Sequence, residues 1–145
     1  MKAPDRDTTL GILLAVGGLF LFRKKKDGGT DTLSETRRSR KQPGAPKPTY
    51  SKQQYAVWAD QLENEFQDWW YVDQVKVTGI LANMRNKGDV DELILAFGKR
   101  AITDMHSPLT GRKMTLPEAV KEYIDQGRRE SVNKDFRWNQ IDFQW

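Results

Sequence analysis

Apolar and polar residues follow three regimes along the chain. From Thr8 to Phe22 fifteen consecutive residues carry no charge, and four cations, Arg23 to Lys26, follow at once. From Lys24 to Thr49 large apolar residues almost vanish. From Tyr50 onward they return at intervals of three and four, the period of an amphipathic helix. Ser51 caps a helix whose inward stripe is Tyr55, Trp58, Leu62, Phe66 and Trp69. Asp73 caps a second helix through about Asn86, with Val77, Ile80, Leu81 and Met84 inward. Asp89 caps a third, with Glu92 closing a capping box, Leu93, Ile94 and Phe97 packing, and Gly98 as the stop. "HSPLTGRK" is a loop. Thr115 caps a fourth helix with Pro117 in its first turn, Glu118 in the box and Gly127 as the stop. "ESVNKDFRWNQIDFQW" adds a short helix and an aromatic tail. The pattern predicts an all-α fold: a transmembrane anchor over 1–23, a flexible basic linker over 24–49, and a domain of four to five short helices over 50–145.

The apolar run is short for a membrane span. As a helix it covers about 22 Å, against a hydrocarbon core of about 30 Å. Its ends compensate: Thr8 and Thr9 suit the interface, and Arg23, Lys24, Lys25 and Lys26 extend outward to lipid headgroups. A cleaved secretory signal is a rival reading, but it carries its cations before the apolar run and a small-residue cleavage site after it. A buried core helix is the other, but a second periodic element does not follow. The anchoring residues are Leu10, Ile12, Leu13, Leu14, Val16, Leu19, Phe20, Leu21 and Phe22. Gly11, Ala15 and Gly18 share one face and permit close helix–helix packing, hence a homo-oligomer, although glycine is also simply common in membrane helices.

Charge sharpens this picture. Residues 23–52 carry ten Lys/Arg against three Asp/Glu, and residues 53–145 carry twelve against fifteen. Basic residues beside an apolar span hold that side in the cytoplasm and attract anionic headgroups. The N-terminus is then outside and the domain on the cytoplasmic side. The mildly acidic domain lacks the basic face that nucleic-acid binding needs, which leaves only "RRSRK" for that role.

Little in the chain points to catalysis. There is no cysteine and a single histidine, His106, so a thiolate or two-histidine metal site is excluded. The clusters Asp89, Asp91, Glu92 and Glu63, Glu65, Asp68 sit where helix starts and polar faces place them. No catalytic residue, metal-ligand set or cofactor is assigned. Adjacent Trp69, Trp70 and Tyr71 cannot all point into one core from a helix. With Trp138, Phe143 and Trp145 they are the partner-binding candidates, either at an interface or filling a helix corner.

From "YAVWADQLENEF" through "WWYVDQ" to Leu93, Ile94, Ala96, Phe97, Gly98 and Arg100, about 50 residues resemble one annexin-type helical repeat. At the corner Trp69, Trp70, Tyr71 and Val72 replace the glycines and threonine of that pattern. Asp73 matches, and Gln74 stands where the pattern has Glu. The resemblance therefore implies a helical repeat without calcium binding. The layout of apolar helix, basic linker and small domain with an "IDFQW" tail is similar to membrane-anchored virion proteins of tail-less bacteriophages with an internal membrane. That resemblance implies a minor structural protein whose partners are a lipid bilayer and capsid or other membrane proteins. A cellular envelope adaptor of the same topology, and a soluble lipid- or calcium-binding module behind a cleaved signal, are the alternatives.

Overall fold

The computed structural model describes residues 31–67, 71–103 and 109–145. Their elements run in the order α1 (Thr32–Arg40), α2 (Lys52–Phe66), α3 (Gln74–Ala82), α4 (Lys87–Phe97), β1 (Lys99–Ile102), β2 (Arg112–Thr115), α5 (Leu116–Tyr123) and α6 (Gln126–Trp138). The anchor segment lies outside the described residues. Among those that are described, no helix is long and apolar enough to cross a membrane.

Most helix starts are fixed by side chains that satisfy the first free amide groups. Ser51 Oγ accepts from Gln54 N at 3.2 Å at the head of α2. Asp73 accepts from Val75 N and Lys76 N, both at 3.1 Å, at the head of α3. The cap of α4 is Asn86, which accepts from Asp89 N at 3.0 Å. Asp89 is not the cap, because its own carboxylate turns inward. At α5 the Glu118 carboxylate accepts from Thr115 N at 2.7 Å and from Thr115 Oγ1 at 2.8 Å, with Pro117 in the first turn.

Three expectations change. The linker is not flexible throughout. Residues 32–40 form α1, whose Leu33 and Thr36 are buried, and α1 packs on α4. Two inward residues one turn apart suffice for a nine-residue helix when a formed neighbour receives them. The folded unit therefore takes in residues 31–49 as well. The fold is mostly helical, consistent with the all-α expectation, and adds one short pair of strands: β1 and β2 pair antiparallel with Lys99 opposite Thr115 and Ile102 opposite Arg112. Gly98, at φ +63°, ends α4 and turns the chain straight into β1, a backbone state that glycine adopts freely. The helix after Asp73 ends at Ala82, so Met84 reaches the core from the loop. Gly127 stops nothing; it lies in the first turn of α6, since extended Ile124 has already reversed the path.

The core gathers around α4, which packs on α1, α2 and α5, while α3 bridges α2 and α6. Tyr55, Leu62 and Phe66 of α2 meet Val77 and Leu81 of α3, Val90, Leu93, Ile94 and Phe97 of α4, and Leu116 and Val120 of α5, all buried. Rings meet edge to face: Phe66 and Phe97 at 6.2 Å, Tyr50 and Trp58 at 4.9 Å. The stretch from Leu93 to Arg100 serves the packing of the fold. Arg100 donates from Nε to Phe97 O at 3.0 Å, stacks on the Phe97 ring at 5.3 Å and binds Asp60 and Glu63 of α2.

Candidate docking surfaces

Helices α3 and α6 start side by side. Gln74 Nε2 donates to Asp125 Oδ2 at 3.1 Å, and Asp125 N donates to Gln74 Oε1 at 3.0 Å. The two helices then run together and leave a groove of about 280 Å³ lined by Val75, Gly79, Ala82, Arg128, Ser131 and Asp135, among others. Small residues on the α3 side keep it open: a Cβ added at Gly79 would meet nothing within 4 Å. Tyr71, before α3, is 70% exposed, Val75 is 60% exposed, and Trp138, at the end of α6, is 87% exposed. Trp138 lies three residues beyond the groove-lining Asp135 and seven beyond Ser131, and Tyr71 precedes α3 by three residues. An exposed tryptophan above a filled core is the side chain most enriched at the energetic centres of protein interfaces.

The six aromatic candidates separate. Tyr71 and Trp138 are at the surface. Phe143 and Trp145 are not free for a partner: Phe143 is half-buried, Trp145 is buried, and their rings meet at 4.8 Å. The tail folds back because Asn133 of α6 holds Trp145 by its backbone, accepting from its N at 2.9 Å and donating to its O at 3.4 Å. That bridge places Trp145 over Phe136. Trp69, Trp70, the anchoring residues Leu10 to Phe22, Arg23 to Lys26, Gly11, Ala15, Gly18 and His106 lie outside the described residues.

The acidic clusters are engaged in holding the fold. Asp91 accepts from Lys87 Nζ at 2.8 Å and Ser39 Oγ at 3.2 Å, and Glu92 pairs with Arg40 of α1 at 3.5 Å. Glu65 pairs with Lys76 at 3.2 Å. Among the described residues no group of His, Cys, Asp and Glu is arranged to hold a metal ion.

Among the described residues of these clusters Asp89 is the one carboxylate with no exposure at all, and its spacing in the chain suggested only a capping role. It accepts from Thr49 N at 2.5 Å, Tyr55 OH at 2.6 Å and Arg85 N at 2.8 Å. Burial pushes its carboxyl up, but these three donors together hold it below its ordinary range. Burial and the same hydrogen bond push the Tyr55 phenol well above its own range, so Tyr55 remains the donor. Asp89 thus ties α4 to α2, to the loop before α4, and to the segment that leads back to α1. The available signal was the glycine beside it: a Cβ on Gly88 would lie 2.2 Å from Pro46 O, so this helix start is built for another strand of chain to cross it.

The structure also gives the folded unit a basic face. On α1, Arg37, Arg38 and Lys41 are exposed, and none of their side chains forms an ion pair among the described residues. The 23–49 charge excess, read from the sequence as a property of a linker, is in part a property of a docked helix. No protein-family model matches the chain, and no curated protein or solved structure matches it.

Proposed function

We propose that the protein is a non-enzymatic, single-pass membrane protein that tethers a small helical docking domain to a bilayer. The observation that carries this is the charge order of the N-terminal segment. An uncharged run of fifteen residues is followed directly by four cations and, from residue 31, by a packed helical unit. The positive-inside rule puts that unit on the cytoplasmic side. The exposed surface from Tyr71 to Trp138 supplies the docking face, and the lipid bilayer and a protein partner are the two things held together. The layout shared with virion proteins makes the internal membrane and capsid shell of a tail-less phage particle the setting. A vesicle formed into the cytoplasm would turn the domain outward, toward the shell.

Purified particles test the setting. The protein is expected to sediment with them and to stay with the membrane vesicle once the shell is dissociated. A protein found only in the host envelope makes it a cellular adaptor. The docking face has its own test. Trp138→Ala, at an exposed position, is expected to leave the melting temperature within about 2 °C, since surface changes cost little. It should cut incorporation into particles, or capture of the envelope partner, about thirtyfold, the size of one interface hot spot. Unchanged incorporation removes Trp138 from the docking face.

A further inference from the structure

We propose that the outward face of α1 is a seat for anionic lipid headgroups, and that it fixes which way the domain faces. This rests on the anchor reading above and deepens it. Helix α1 is held rigidly. Leu33 and Thr36 are buried against the body, Arg40 bridges to Glu92 at 3.5 Å and to Pro46 O at 2.7 Å, and Asp31 pairs with Lys99 at 3.5 Å. At a helical 100° per residue, Arg38 lies opposite the Leu33–Arg40 face with Lys41 and Glu35 each about 60° from it, while Arg37 lies about 100° from it, at the edge nearer Leu33. Glu35 is the one exposed anion on that helix. Lys47 and Lys52, in the segment that follows, are exposed as well.

Reach supports the same partner. Nine residues, 23–31, separate Phe22 from Thr32. Even fully extended they span only about 30 Å. With Phe22 at the end of the anchor, α1 stays within that distance of the bilayer. A cytoplasmic leaflet carries a negative surface potential that acts over about a Debye length, roughly 8 to 10 Å. A tethered cationic face therefore meets an anionic surface at high effective concentration. Arg37 and Arg38 point about 100° apart, so each would take its own phosphodiester or carboxylate headgroup, since guanidinium donates in a planar fork.

The seat also leaves the docking face free. The principal packing partner of α1 is α4, and that of α6 is α3, with α2 between α4 and α3. Helix α1 shares no principal packing contact with α3 or α6, so a seat on α1 leaves the α3/α6 groove and Trp138 clear for a protein partner.

The test uses the full chain, which has no cysteine. A Gln42→Cys change beside α1 takes a donor dye, and the lipid carries an acceptor. The protein is reconstituted in phosphatidylcholine vesicles with and without phosphatidylserine. Energy transfer should be higher with phosphatidylserine and should fall toward the phosphatidylcholine value in high salt, an outcome that needs no variant. R37Q/R38Q/K41Q should lower the seated-to-unseated ratio on the order of a hundredfold, from about 1 kcal/mol for each cation. Equal transfer in the two lipids, with the chain still resistant to carbonate, overturns the seat and leaves the anchor standing. A chain that carbonate washes out overturns the anchor and the seat with it. Duplex DNA that displaces α1 from phosphatidylserine vesicles at lower concentration than free lipid does would also overturn it, and would assign the face to nucleic acid.

Discussion

Asp89→Ala is expected to lower the folding free energy by about 4 kcal/mol, enough to leave much of a small domain unfolded. The change removes one acceptor and strands three donors, the Thr49 and Arg85 amides and the Tyr55 hydroxyl. Each buried donor without a partner costs about 1 to 3 kcal/mol. Asp89→Asn separates shape from charge. Its amide oxygen still accepts from Thr49 and Tyr55, but its NH₂ confronts the Arg85 amide, so a loss of about 2 kcal/mol is expected. The pH dependence has a definite sign. The folded carboxyl of Asp89 ionises more readily than an ordinary one. Such a group adds stability above the unfolded pKa, near 4, and loses it as pH falls through the lower folded value. Chemical denaturation at several pH values should therefore show the wild type weakening below about pH 4 more steeply than Asp89→Asn. Equal slopes would remove the buried carboxylate from the account. Tyr55→Phe completes a double-mutant cycle, with an expected coupling above about 1 kcal/mol.

The second large effect reverses an ordinary rule. Glycine to alanine inside a helix normally gains about 1 kcal/mol. Gly79→Ala, facing open space in α3, should behave that way. Gly88→Ala should instead lose about 3 kcal/mol, because its Cβ would stand 2.2 Å from Pro46 O, a backbone atom with no rotamer to yield. Relief requires residues 46–49 to lift off α4, which breaks the Thr49–Asp89 and Asn86–Lys47 O contacts together. Hydrogen exchange is the discriminating readout. Amides of α1 should exchange faster in Gly88→Ala while those of α2 and α4 keep their ranking. A stabilised Gly88→Ala, or uniform exchange, would mean that the basic segment is not docked.

These two positions show where the amino-acid pattern was informative and where it was not. Helix interiors were readable, since Leu62, Phe66, Leu93, Ile94 and Phe97 recur at helical spacing and all are buried. So were the Ser51, Asp73 and Thr115 starts, which depend on neighbours within one turn. What depended on distant partners was not readable. Helix α1 owes its place to Leu33 and Thr36 meeting α4, and the composition of its surroundings spoke for a coil. The inward turn of Asp89 depends on Thr49 and Tyr55, 40 and 34 residues away. The β1–β2 pair has four residues a side, too few to show an alternation. Trp145 stood among the partner-binding candidates, and its reception by Asn133 and Phe136 is a tertiary fact. The proposed docking face was half visible: Tyr71 and Trp138 stood out as aromatics, but the groove of Val75, Gly79, Arg128 and Ser131 arises only when α3 and α6 lie side by side.

The central claim is that Thr8–Phe22 fixes a folded domain to a membrane. Alkaline carbonate extraction of membranes from cells making the full chain, followed by flotation, tests it most directly. The account predicts that the chain floats with the lipid after carbonate, and that a chain lacking residues 8–22 does not. A full-length chain that washes into the soluble fraction would contradict it.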